Sequence, residues 1–243
     1  MIIVIGESCT DIYVYTKSTR LSPEAPVPVL ILVHKVKAGG MAMNVYNNVI
    51  NMDSNVSIRL ITQKNKIKKK RYVDEKTNHS FIRVDTGEDN VDPYYGDIDN
   101  KHGITIISDY NKGYLTNDDI VKIAKQSKTT ILDSKRRLTD DIINSIDYIK
   151  LNQDEYENNK DLITNQNRDK FIITMGGNGV SHNGIVYMQE KNAPTIDVSG
   201  AGDTFTAALA LSLYNNESIT EAIRAGNKMA YKVVLKRGTS LPN

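Results

Sequence analysis

Short β-branched runs alternate with helical patterns along this chain, and that alternation constrains its fold more than any other feature. Strands separated by helices lie side by side and parallel, in a sheet that the helices cover. The candidate core strands are Ile2–Ile5, Ser57–Ile61, Ile104–Ser108, Thr129–Leu132, Tyr148–Leu151 and Phe171–Thr174. Ile104-Thr105-Ile106-Ile107 and Phe171-Ile172-Ile173 are nearly continuous apolar runs, the pattern of strands buried on both faces. Ala42–Met52 reads as a helix after a Gly-Gly pair, and Thr116–Lys125 as one begun by a threonine cap. Ser218-Ile219-Thr220-Glu221 is a capping box opening a last helix, with a stop at Lys236-Arg237-Gly238. The expected class is α/β, three layers around a mostly parallel central sheet.

Two segments break this rhythm. Val27–Val36 is a long strand pattern after Pro23, Pro26 and Pro28, and Arg71–Val84 reads as a hairpin turning near Glu75–Asn78. Inserted between core units, they are expected to pair into a small β lid, about 17–36 and 68–85, within one domain spanning 1–243. Val27, Val29, Ile31 and Val33 are expected on one strand face, with Leu30 and Leu32 on the other.

Composition narrows the function classes. The 243 residues are 40% hydrophobic and 25% charged, as in ordinary globular proteins. A net charge of +2 gives no reason to expect nucleic acid. One cysteine, Cys9, excludes an intrachain disulfide and any multi-cysteine metal site, and the four histidines are scattered. The opening Met1–Ile5 run is too short for a signal peptide, and no stretch approaches the roughly 20 apolar residues of a membrane span. A reduced, cytoplasmic setting without membrane contact is expected.

The strongest chemical signal is Asp197-Val198-Ser199-Gly200-Ala201-Gly202-Asp203-Thr204-Phe205. A short strand ends in Gly-Ala-Gly and an apolar helix begins at once, with Asp203 in its first turn. The glycines permit a sharp turn, and the amides of a helix start can hold an anion. A carboxylate there can accept the proton of an attacking hydroxyl. The other reading of the same residues is an aspartate that caps a buried helix. No Gly-Lys-Ser/Thr follows, so this is not a Walker A loop.

This segment resembles the C-terminal signature of the ribokinase-like (PfkB) carbohydrate kinases. The resemblance implies a ribokinase-like fold with a small lid, and ATP-dependent phosphorylation of a carbohydrate with ATP as co-substrate and Mg²⁺. It makes Asp203 the catalytic base and Gly200, Ala201 and Gly202 the anion hole. It puts Asp197 where some members bind a monovalent cation such as K⁺; a plain structural carboxylate fits the residue equally. Gly39-Gly40-Met41-Ala42-Met43-Asn44 resembles the family's sugar-side motif, making Gly39, Gly40 and Asn44 substrate-binding together with Asp11. Read alone, the glycine pair is a turn and Asp11 a loop cap. Asn152 and Glu155 match the family's Asn-x-x-Glu, assigned to ATP and, for Glu155, to Mg²⁺; alone they read as a cap and an exposed helix charge. Thr174-Met175-Gly176-Gly177-Asn178-Gly179 resembles the turn beside the nucleotide, adding Thr174, Gly176 and Gly179, and Gly238-Thr239-Ser240 matches the segment after the last helix.

Arg20–Val29 and Ser108-Asp109-Tyr110-Asn111-Lys112-Gly113 are similar to segments of the family's heptose 7-phosphate kinases, as is Asp133-Ser134-Lys135. That similarity implies a sugar or sugar phosphate, foremost a heptose 7-phosphate phosphorylated at C1, with Asp109 and Lys112 on the substrate side. Another sugar, a nucleoside, or a non-catalytic binding role are the alternatives. Lid-to-lid contacts in the family imply a homodimer through residues 21–36 and 71–84. The chain is shorter than such relatives, with a helix and strand expected to be missing after Thr62. Lys64, Lys66, Lys68, Lys69, Lys70 and Arg71 follow, read either as a solvated loop or as an attractor for a phosphorylated sugar.

Overall fold

All six candidate core strands are neighbours in one sheet of the computed structural model, which describes residues 1–189 and 198–235. In chain order the strands are β1 Ile2–Gly6, β2 Ser8–Leu21, β3 Pro28–Met41, β4 Ile58–Ile61, β5 Ile67–Asp74 and β6 Ser80–Thr86. β7 Asn100–Asp109, β8 Ser127–Ser134, β9 Tyr148–Asn152, β10 Phe171–Thr174, β11 Val180–His182 and β12 Ile185–Tyr187 follow. The helices are α1 Ala42–Met52, α2 Asn117–Lys125, α3 Asp140–Ser145, α4 Gln153–Glu157, α5 Ala201–Tyr214 and α6 Ile219–Val234. The main sheet runs β12-β11-β10-β9-β8-β7-β1-β4. Every pairing from β10 to β4 is parallel, and only β11 and β12 join antiparallel.

Apolar residues on both sides of each strand create two cores. Ile3, Ile5, Ile107, Leu132 and Phe171 pack with Ile120, Ile123 and Ile142 of α2 and α3. Ile2, Val4, Ile106 and Ile172 face the other way, toward Val45, Val49, Phe205, Leu209 and Ile223 of α1, α5 and α6. Each such side chain, fully buried, is worth about 1.5–3 kcal/mol. α6 reaches α5 closely because residue 226 is glycine, where a β-carbon would lie 2.7 Å from the Phe205 ring.

The lid is a second sheet, ordered β3-β2-β5-β6. The two expected excursions do not pair with each other. Ser8–Leu21, not foreseen as a strand, lies between them, antiparallel to β3 and parallel to β5. Nearly all of Ser8–Thr16 is buried on both faces, so no alternation marks it, and its Ser, Thr and Asp residues break the apolar run that would mark a buried strand. The face assignment in β3 also changes. Tyr15 opposes His34 and Thr16 opposes Leu32, so Val33 is an extra residue at a bulge and the in–out order reverses beyond it. The stop at residues 236–238 and the 238–240 match lie outside the described residues.

Candidate active site

α5 begins where the core sheet, the lid and the β7–α2 loop meet. Gly200 holds the N-cap position with φ +82°, a left-handed conformation in which a side chain would be strained, and no side chain caps this helix. The amide of Ala201 donates to Val198 O (3.2 Å) and that of Thr204 to Gly200 O (2.9 Å). The Ala201 amide is therefore spent within the turn, which removes one residue of the Gly-Ala-Gly run from the donors the helix start can offer an anion.

Asp203 is not the cap. It sits in the first turn, 8% exposed, and accepts side-chain donors from elsewhere: Asn44 Nδ2 at 2.8 Å and the Tyr110 hydroxyl at 3.1 Å. Burial raises its carboxyl to about 6, and the charge of Asp133 adds to the rise; the Asn44 bond, Lys150 and the Tyr110 bond pull it back. Such a group is an anion at neutral pH, yet holds a proton readily. That is what a general base requires.

Beneath it lies a buried ion pair. Lys150 Nζ on β9 is 3.0 and 3.2 Å from the carboxylate oxygens of Asp133 on β8, and Thr206 Oγ1 adds a bond of 3.1 Å to Asp133. Burial opposes both charges, but their attraction wins, lowering the Asp133 carboxyl and raising the Lys150 ammonium. A β-carbon at Gly202 would stand 3.1 Å from Lys150 Nζ, so the glycine brings the backbone of the anion site close to this cation.

Tyr110 is placed by Glu7. That carboxylate is fully buried and accepts the amides of Tyr110 (2.9 Å), Lys112 (2.9 Å) and Tyr114 (3.3 Å), wrapping the loop around itself. Burial and the charges of Asp203 and Asp133 push the Tyr110 hydroxyl well above its ordinary range, so it donates and does not ionise. Asp109, expected at the substrate, lies instead under this loop with no exposure. Arg136 holds it through Nε (2.6 Å) and Nη2 (2.8 Å), and Ser134 bonds it as well. A carboxylate already bound by a guanidinium and a hydroxyl braces the loop; it does not line the cavity.

A cavity of about 500 Å³ opens beside the start of α5, lined by Asn152, Thr174, Gly176 and Gly179, and also by Lys135, Lys150, Gly200, Ala201, Gly202 and Asp203. Glu155 does not line it. The carboxylate closes a capping box with Asn152 at the start of α4 and pairs with Lys135, which is the cap reading of this motif. Among the described residues no three His, Cys, Asp or Glu side chains cluster as a metal site, and Asp197 lies outside them.

On the lid side, Gly40 admits Asp11: a β-carbon there would be 2.2 Å from Asp11 Oδ2 and 2.6 Å from Cys9 Sγ. Gly39 is similarly close to Met43 and Asn47. Asp11 pairs with Arg71 at 2.5 Å, and Lys112 with Glu88 at 2.7 Å. Burial, then the Asp11 charge, pushes the Cys9 thiol up to about 12, so it is an inert packing group. Glu7, Tyr110 and Lys150 were not foreseen individually. The legible signal for Lys150 was a lone charge inside the apolar strand Tyr148-Ile149-Lys150-Leu151.

The sequence pattern described as "pfkB family carbohydrate kinase" matches residues 115–243, more than half of the chain. The chain belongs to that family. PfkB carbohydrate kinases are ATP-dependent. The chain is 32% identical to the bifunctional protein HldE of Helicobacter pylori (strain J99) over 300 aligned positions, and 31% identical to that of Helicobacter acinonychis (strain Sheeba) over 298. Each alignment covers 99% of this chain but 64% of the relative, so the PfkB chain spans just under two-thirds of their length. More positions align than the chain has residues, so the relatives carry segments it lacks. Among solved structures, ribokinase from Thermotoga maritima superposes with a TM-score of 0.69 at 17% identity, covering 98% of this chain and 94% of that one. Phosphofructokinase-2 from Escherichia coli in complex with potassium gives 0.71 at 15%, covering 99% and 94%. These likenesses establish the ribokinase-like fold. No described helix is long and apolar enough to cross a membrane.

Proposed function

We propose that this PfkB-family chain transfers the terminal phosphoryl group of ATP to a hydroxyl of a sugar phosphate, with the C1 hydroxyl of a heptose 7-phosphate as the foremost substrate. The observation that carries the reading is Asp203: a buried carboxylate that caps nothing, held by Asn44 and Tyr110 where the cavity meets the sugar side. The sugar hydroxyl binds against Asp203, which orients it and receives its proton as the new O–P bond forms and the bond to ADP breaks. The amides of Gly202 and Asp203, with the Lys150 ammonium below, offset charge on the transferring group. The lid excludes water, which would otherwise compete with the sugar.

Mg²⁺ fits as an ion carried on the nucleotide, since Asp154 and Asp203 give the cavity carboxylate oxygens but no cage, while Glu155 is turned into the capping box of α4. When bound, it neutralises phosphate charge. K⁺ near Asp197 belongs to the same reading. An ATP-consumption screen over sugars and sugar phosphates, with heptose 7-phosphate included, tests the whole. Turnover confined to unphosphorylated sugars or nucleosides leaves a kinase of another specificity, and no turnover at all leaves a binding protein.

The pH profile provides a separate check. Asp203 acts as a base only when ionised, so kcat should rise with pH through about 6 and level off above it. The Tyr110 bond stabilises the carboxylate, so Tyr110→Phe should move that limb upward. A limb unmoved by Tyr110→Phe and absent near 6 would remove Asp203 from the proton transfer.

The lid leaves Leu21, Ile31, Leu32, Val36, Ile82 and Val84 between 42% and 62% exposed. Scattered exposure of this kind is common, but six such residues on one small sheet favour a homodimer through residues 21–36 and 71–84. Light scattering at micromolar concentration should give twice the chain mass, and Leu32→Glu should return it to monomer. Monomer alone in the unmodified protein rejects the dimer.

A further inference from the structure

Beyond the nucleotide cavity, between the lid and the β7–α2 loop, cations outnumber the carboxylates that hold them. Lys69 on β5 and Lys112 share one partner, Glu88, at 3.7 and 2.7 Å. The longer contact exceeds hydrogen-bond reach, and Glu88 Oε1 is a buried oxygen with no hydrogen-bond partner. Arg71 lies two residues from Lys69 on the same strand face and pairs with Asp11. Arg83 and Asp85 beside them neutralise each other. Three cations thus surround two carboxylates, and one of the two is incompletely bonded.

The position of this cluster gives it meaning. The Lys69 ammonium stands 5.4 Å from the centre of the Tyr110 ring, whose hydroxyl reaches Asp203 at 3.1 Å. One tyrosine therefore spans from the cations to the proposed base, with Asp11 and Gly40 on the lid side of the same site. Gly87, at φ +82° and with no room for a β-carbon beside Lys66 O, sets the turn that aims Glu88 inward. A buried ammonium is costly unless an anion faces it, and a carboxylate with an unbonded oxygen is a poor permanent partner for two. A phosphate dianion offers more charge and three acceptor oxygens.

We propose that Lys69 and Lys112, backed by Arg71, receive the phosphate that the acceptor sugar already carries, and that Glu88 holds that place until the sugar arrives. The proposal rests on the sugar-phosphate reading above. On binding, the phosphate takes over both lysines and Glu88, whose side chain is 21% exposed, withdraws toward solvent. The competing account is an ion pair that only ties the lid to the loop. In that case Glu88→Gln loosens the lid without changing the choice of sugar.

The test compares kcat/KM for heptose 7-phosphate and free heptose, at saturating ATP, in the whole chain and in Lys69→Met, Lys112→Met and Glu88→Gln. Each lysine variant should reduce the preference for the phosphorylated sugar ~10-fold, the scale of a charge-assisted hydrogen bond. Glu88→Gln should lower KM for heptose 7-phosphate, a gain that misfolding cannot imitate. A wild-type enzyme that treats both sugars alike overturns the sugar-phosphate reading and this site with it. A wild-type preference that survives both lysine substitutions, or that falls in Glu88→Gln, overturns this site alone.

Discussion

Asp203→Asn should lower kcat at least ~10²-fold, the low end for loss of a positioned general base, and at the same time make the fold more stable near pH 8. The second effect follows from the raised carboxyl. Burial holds Asp203 at about 6 against an ordinary 3.8, so above pH 6 the folded chain bears a charge that costs about 3 kcal/mol relative to the unfolded chain. Asparagine removes that cost but cannot accept both the Asn44 and Tyr110 donors, which returns about 1 kcal/mol of it. A net gain of about 1–2 kcal/mol is expected in urea unfolding. The sign with pH is definite. In the wild type this contribution is most favourable below the unfolded value and is lost as pH rises through about 6, so the variant's advantage should vanish in acid. An aspartate that served as a helix cap would give the opposite result, with stability falling by about 0.5–2 kcal/mol on replacement. Near-wild-type turnover in Asp203→Asn would end the base assignment.

Lys150→Met should be the most destabilising single change in the site, by about 3–5 kcal/mol, because it strands the Asp133 carboxylate in the interior. Asp133 is 6% exposed, and without the ammonium the Thr206 hydroxyl is the one hydrogen-bond partner left to it among the described residues. The loss should depend on pH. In the wild type the Asp133 carboxyl is held below its ordinary value, so its contribution is present at neutral pH and fades in acid. In Lys150→Met burial is opposed only by the more distant Lys135 charge and the Thr206 bond, so the carboxyl rises, and the variant should recover stability as pH falls. Adding Asp133→Leu should restore much of the loss, since an apolar pair often matches a buried ion pair in stability. If that double variant folds well but turns over poorly, the pair serves the chemistry and not the fold. A Lys150→Met protein as stable as the wild type would show that the ammonium is not paired in solution.

Much of the fold was legible because its signals are local. Short β-branched runs such as Ile104–Ile107 favour strands with two buried faces, and α1, α2 and α6 carry their starts in neighbouring residues. β2 was not legible, because its partners β3 and β5 flank it in space while their sequence separations differ, and its own residues show no clean alternation. The same limit applies to β3, where the bulge at Val33 depends on register with β2.

In the site, the residues that need a special backbone were readable by themselves. The Gly200 turn, the Gly39-Gly40 approach and an aspartate in the first turn of α5 are written in short contiguous motifs. Roles that depend on charge balance were not. Asp109, read at the substrate, is tied up by Arg136, which lies 27 residues further on, and Glu155 closes a capping box. Glu7, Lys150 and Glu88 are each one charged residue among many in a chain that is 25% charged. Only the folded chain decides which of them loses water and which partner replaces it. The sequence by itself determined the six core strands, the starts of α1, α2 and α6 and the glycine turns, because backbone preference and apolar periodicity act over a few residues. The tertiary structure alone decided which charges meet, because desolvation and pairing depend on distances that the chain sets only when it closes on itself.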